Sequence, residues 1–111
     1  MITRDVVIGA GESLSAALND LDGCAIVGLV MPAAWTAANL TLQMSADDST
    51  FKDVYDALGV EKTIVAGAAR YIQINPADLM GANALKIRSG TTGTPVVQAA
   101  SRTITLILFV P

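Results

Sequence analysis

Apolar and polar positions alternate with a period of two along much of this chain. Over residues 39–45, Leu40, Leu42 and Met44 fall on one face and Thr41, Gln43 and Ser45 on the other. Over 70–75, Ile72 and Ile74 oppose Tyr71 and Gln73, and over 84–89, Leu85 and Ile87 oppose Lys86 and Arg88. Successive side chains of a strand point to opposite faces, so each stretch predicts a half-buried strand. Residues 24–30 and 104–110 are apolar at odd and even positions alike, which predicts strands covered on both sides. Residues 4–8, 51–56 and 62–66 are shorter candidates. The sum is about eight strands with a turn every 8–12 residues, the pattern of an antiparallel β-sandwich of jelly-roll type.

The punctuation agrees. Asp47-Asp48-Ser49-Thr50 carries residues that form Asx turns, and the run from Ser89 to Pro95 reads as a longer loop. Asn75, Pro76, Asp78 and Gly81 frame one helical turn around 76–80, with an N-cap, an N1 proline, an acidic first turn and a closing glycine. Residues 12–20 fit either a short helix or a strand and turn. Nothing divides the chain, so 1–111 is expected to form one domain. Simple antiparallel succession would place loops 31–38, 57–61 and 76–83 at one end, and 46–50, 67–69 and 90–98 at the other. The first group is apolar, with Met31, Pro32, Trp35, Leu58, Leu79 and Met80. The second is mostly Asp, Ser, Thr and Gly.

Composition sharpens this. Hydrophobic residues make up 52% of the 111 positions and charged residues only 15%, against roughly 25% charged in an average domain. A surface so short of charge implies that part of it is covered by another chain. The longest apolar runs are broken by Gly28 and Pro32 or end within a few residues, short of the about 20 that a spanning helix needs. No cationic segment leads into an apolar one at the start, so no secretory signal and no membrane partner are expected. Alanine supplies much of the apolar content, with 18 residues.

Little catalytic chemistry is on offer. The chain has no histidine, which excludes His-based triads and His-ligated metals. Cys24 is alone and sits in an apolar run. Asp47, Asp48, Asp53 and Asp56 cluster in sequence, but turn chemistry accounts for them better than calcium binding or acid–base catalysis. Gly9-Ala10-Gly11-Glu12-Ser13 lacks the glycine spacing and the βαβ context of a phosphate loop. The cations stand singly, so nucleic acid is not an expected partner. Arg4, Arg70, Arg88 and Arg102 read as solvated charges near strand ends, or alternatively as arms for pairing between subunits. No cofactor, no metal and no enzymatic activity are expected.

The run from Ile26 through Met31-Pro32-Ala33-Ala34-Trp35 to Ser45 resembles a segment of small virion-associated proteins of tailed bacteriophages. So do Phe51–Asp56, Arg70–Asp78, Leu85–Gly90 and Ala100–Leu108, and together they span roughly residues 10–110. More distantly, Ser45-x-Asp47-x-Ser49-Thr50-Phe51-x-x-Val54-Tyr55 is similar to a discoidin-type jelly roll. Here Asp47-Asp48-Ser49 stands where that pattern has Asp-Gly. The resemblance implies a β-sandwich that decorates or cements a phage head as a homotrimer bound to the major capsid protein. It would be made in the host cytoplasm and end on the exterior of the virion. The alternative is a carbohydrate-binding module of a tail, fibre or baseplate, against which the scarcity of aromatics weighs. On the decoration reading, Met31, Pro32, Trp35, Leu79 and Met80 are the expected interface.

Overall fold

The computed structural model describes residues Met1–Val110. It is all-β. The strands are β1 (Ile2–Ile8), β2 (Ala25–Val30), β3 (Leu40–Ser45), β4 (Lys52–Asp53), β5 (Tyr71–Gln73), β6 (Ala84–Ser89) and β7 (Arg102–Phe109). One sheet has the order β1-β7-β2-β5 and the other β4-β3-β6, every pairing antiparallel. Residues 13–18 extend the second sheet alongside β6. Ser15 and Leu18 donate backbone N–H groups to Ile87 and Leu85, and Ser89 donates to Ser13. With that segment as an eighth strand, both sheets have four members and the chain crosses between them in the order of a jelly roll.

The core lies between the sheets. Val6, Ile8, Ile26, Leu29, Ile104, Leu106 and Leu108 from one sheet meet Leu40, Leu42, Leu85 and Ile87 from the other. The alternation in 39–45 and 84–89 is therefore real at the inner positions. Thr41 and Arg88 nonetheless face outward and are buried, because the loops after β4 and β6 fold over that face. The two all-apolar runs are covered fully on one side only, with Val30 and Phe109 exposed on the outer face. The expected helical turn is a 3-10 turn over Pro76–Leu79, capped by Asn75. Residues 12–20 take the strand-and-turn alternative. Residues 62–66 form no strand and hold a single bridge, Ile64 to Leu40.

That last point reassigns the loops. A full strand at 62–66 would carry the chain across the sandwich and reverse every later loop. Instead the chain turns back at 67–70, where Ala69 donates to the Pro32 carbonyl. One end of the sandwich gathers loops 9–12, 31–39, 54–70 and 90–101. Gly11 and Gln98 bond there, as do Gly90 and Asn39. The opposite end gathers 19–24, 46–51 and 74–83, joined through Asn83, which donates to the carbonyls of Ser45 and Ala46 and accepts from Leu21. The expected grouping of 31–38 with 76–83 is thus corrected.

Gly90 is the backbone position with the least freedom. Its φ is +89°, and a Cβ there would meet the Thr94 carbonyl oxygen at 2.5 Å and the Val96 nitrogen at 2.7 Å. Both groups are main chain and cannot swing aside. Gly90→Ala is expected to lower unfolding stability by about 2–3 kcal/mol, from left-handed strain plus overpacking. Gly11→Ala, at φ +75° with open space around it, should cost only about 1 kcal/mol. Equal losses for the two in urea titrations would refute the steric account.

Candidate functional site

The five residues expected to form an interface divide in the structure. Met31 is 3% exposed and Leu79 4%, and both belong to the core. Met31 directly follows β2 and Leu79 closes the 3-10 turn, both with the side chain on the inner side, so neither can present itself to a partner. Trp35 is half-buried, packs against the core and donates its indole N–H to the Ala38 carbonyl at 3.0 Å. It shapes its loop from within. Pro32 is half-buried on that loop, and its carbonyl is taken by Ala69. Met80 is 62% exposed but lies at the opposite end of the sandwich. The interface drawn from sequence is therefore not one surface.

The end that carries loop 31–39 nevertheless has an apolar exterior, built from other residues. Leu58 is 89% exposed, Val60 60% and Val97 60%, with Ala33, Ala34, Ala37, Ala99 and Ala100 exposed on the neighbouring loops. Leu58 was legible as part of an apolar end. Val60 and Val97 were not, because single valines in loops carry no periodic signal.

These side chains stand on braced loops. The Asp56 carboxylate accepts the N–H groups of Leu58 (2.8 Å) and Val60 (3.0 Å), which closes a tight loop with Gly59 at φ +82°. Loop 31–39 is held by Gln98, whose side-chain amide accepts from the Thr36 N–H (2.9 Å) and donates to the Thr36 carbonyl (3.0 Å). The same amide donates to Ser89 Oγ (2.7 Å) and accepts from Arg102 Nε (3.2 Å). Gln98 is fully buried.

A second network fixes loops 54–61 and 90–94. Arg88 donates to the carboxylate of Asp53 at 2.6 Å and to Thr92 Oγ1 at 2.8 Å, and lies 3.6 Å from Glu61 Oε2. Glu61 in turn accepts from both the N–H and the hydroxyl of Thr92. The arginines read as strand-end charges thus differ in role. Arg88 sits within β6 and Arg102 at the start of β7, and both are consumed by contacts within the chain.

The clustered aspartates are structural. Asp47 accepts from Thr50 N–H (2.8 Å), Ser49 N–H (3.0 Å) and Ser45 Oγ (2.9 Å), the Asx turn expected from its sequence. Those bonds, Thr50 first, hold its carboxyl well below the usual carboxylate range. Arg88, then Gln43, lower Asp53, and the N–H groups of Val60 and Leu58 lower Asp56. A carboxyl depressed in the folded state stabilises the fold above its unfolded value, and that contribution is lost as pH falls through the folded value. Stability is expected to stay level from neutral pH down to about pH 5 and to fall progressively below about pH 4. Urea midpoints across that range test this, and a midpoint that rises on acidification would contradict it.

Among the described residues no three His, Cys, Asp or Glu side chains are placed to hold a metal ion. No buried side-chain nitrogen or oxygen there lacks a hydrogen-bond partner. Comparison with protein-family models, with curated proteins and with solved structures finds no match to this chain.

Proposed function

We propose that this protein is a non-enzymatic structural component of a tailed-phage virion, a decoration or cement protein that binds the assembled head shell. It acts as a homotrimer on the capsid exterior, with the major capsid protein as its partner. Binding only the assembled shell stabilises that shell by mass action. One observation carries the reading: Leu58, Val60 and Val97 stand exposed at one end of a jelly roll, on loops braced by the Asp56 carboxylate, the Gln98 amide and the Arg88–Glu61–Thr92 network. Rigid, uncharged loop tips suit docking, because little side-chain or loop entropy remains to be lost.

The test uses purified particles and shells stripped of the protein. Density for the protein on the head is expected, and the wild type should rebind stripped shells. The triple variant Leu58→Asp/Val60→Asp/Val97→Asp should fold, since exposed substitutions usually cost less than about 0.5 kcal/mol each, and should bind shells at least tenfold more weakly. Trp35→Asp is unsuitable here because it would disturb the core. Density on a tail or fibre instead of the head, or normal rebinding by the triple variant, would overturn the proposal.

A further inference from the structure

Residues 62–66 and β5 are the two arms of a hairpin that has been pulled open. Turn 67–70 joins them, yet they do not pair with each other. Ile64 exchanges both backbone bonds with Leu40 of β3, in the second sheet. The β5 arm pairs with β2, in the first sheet. Between the arms lies a cleft of about 350 Å³, walled by Lys62–Val65 on one side and Ile72–Asn75 on the other, with Leu42 and Leu79 also lining it.

Both walls present unpaired backbone. In an antiparallel ladder only alternate residues bond to the neighbour, and those between point their N–H and C=O groups away. Met31 donates to Arg70 and Ile74 donates to Val27, which puts Ile72 in the bonded position opposite Leu29. Tyr71 and Gln73 therefore direct their backbone groups away from β2. On the other arm the bonded residue is Ile64, so Thr63 and Val65 direct theirs away from β3. Thr63, Val65 and Gln73 line the cleft, and Tyr71 continues the β5 edge just beyond it, so the two arms offer donors and acceptors to whatever enters between them.

We propose that this cleft binds an extended peptide segment of another polypeptide, inserted as a strand between the two arms and bonded to both. Extended backbone is the ligand whose donors and acceptors alternate to both sides at strand spacing. The charged groups that line the cleft, Lys62 and Asp78, are paired with each other at 3.1 Å. The remaining lining is neutral and largely apolar, which fits an uncharged segment with apolar side chains turned toward Leu42, Ile72 and Leu79. Strand packing takes about 4.8 Å by 10 Å by 3.3 Å per residue, so the cleft encloses about two residues of chain. This inference does not depend on the virion reading, because it concerns the isolated protein.

The probe is the capped peptide Lys-Thr-Val-Thr-Val-Thr-Lys, with analogues carrying Ile, Leu or Phe for Val, titrated to millimolar concentration into isotope-labelled protein. The amide signals of Thr63, Val65, Tyr71 and Gln73 should shift most, and their hydrogen exchange should slow at least tenfold at saturation. A peptide N-methylated at alternate residues should not bind. Val65→Pro and Gln73→Pro each remove one outward N–H and no ladder bond, and each should weaken binding at least tenfold while the Ile64 and Ile72 amides keep their protection. If Val65→Pro unfolds, Gln73→Pro and the N-methylated peptide decide the matter. The idea fails if no peptide of the panel shifts those four amides, or if N-methylation leaves binding unchanged. It also fails if the four amides become protected without peptide as protein concentration rises, which would assign the edges to a second copy.

Discussion

Arg88→Ala is expected to lower unfolding stability by about 3–5 kcal/mol. The Arg88 side chain is 9% exposed, and its guanidinium holds Asp53 and Glu61, whose side chains are 28% and 15% exposed. Removing it leaves two carboxylates close together, partly desolvated and without a counter-charge. It also frees Thr92 and Thr41, the latter of which donates to the Gly90 carbonyl at 2.7 Å. The cost belongs to the orphaned charges rather than to the pair itself. Arg88→Met combined with Asp53→Asn should therefore recover more than half of the loss. Denaturant titrations of the two variants check this. A double variant as unstable as Arg88→Ala would show that packing of the arginine stem, not charge, is what matters.

Gln98→Ala should cost about 3 kcal/mol. The amide uses both donors and both acceptor positions, and its loss strands the Thr36 N–H and the Ser89 hydroxyl, at about 1–3 kcal/mol for each buried group left unpaired. The effect should concentrate in loop 31–39, with exchange of the Thr36 amide at least tenfold faster than the global loss explains. Gln98→Glu keeps the shape but replaces the donor by an acceptor that faces the Thr36 carbonyl. It should be at least as damaging, and a harmless Gln98→Glu would contradict the assigned amide orientation.

Local patterns carried much of the architecture. Strands β2, β3, β6 and β7 follow from alternation and apolar runs, because burial on one face imposes a period of two on the residues themselves. The Asp47 turn and the capped turn at Pro76 follow from side chains that bond to their own backbone within three residues, an interaction complete inside its own segment.

The site was less legible. Met31, Leu79 and Met80 are apolar residues next to turns, and nothing in their spacing distinguishes a core position from an exposed one. Arg88 shows the same limit. It occupies an outward position of an alternating strand, so its burial depends on loops 54–61 and 90–94 folding over that face. Gln98 bonds Thr36 from 62 residues away, and no local pattern marks either residue.

The sequence by itself determined an all-β sandwich poor in charge, with its strands, its main turns and an absence of histidine chemistry. Those are properties of short segments and of composition, and each segment carries its own physical cause. Only the tertiary structure decided which loops share an end, and it turned on one segment. Residues 62–66 have strand-like composition, but their neighbours leave them a single bridge to β3. That choice sets the direction of every later crossing, separates Met80 from Trp35, and opens the cleft between two unpaired edges. Pairing partners are a competition among distant segments, and its outcome is not contained in any one of them.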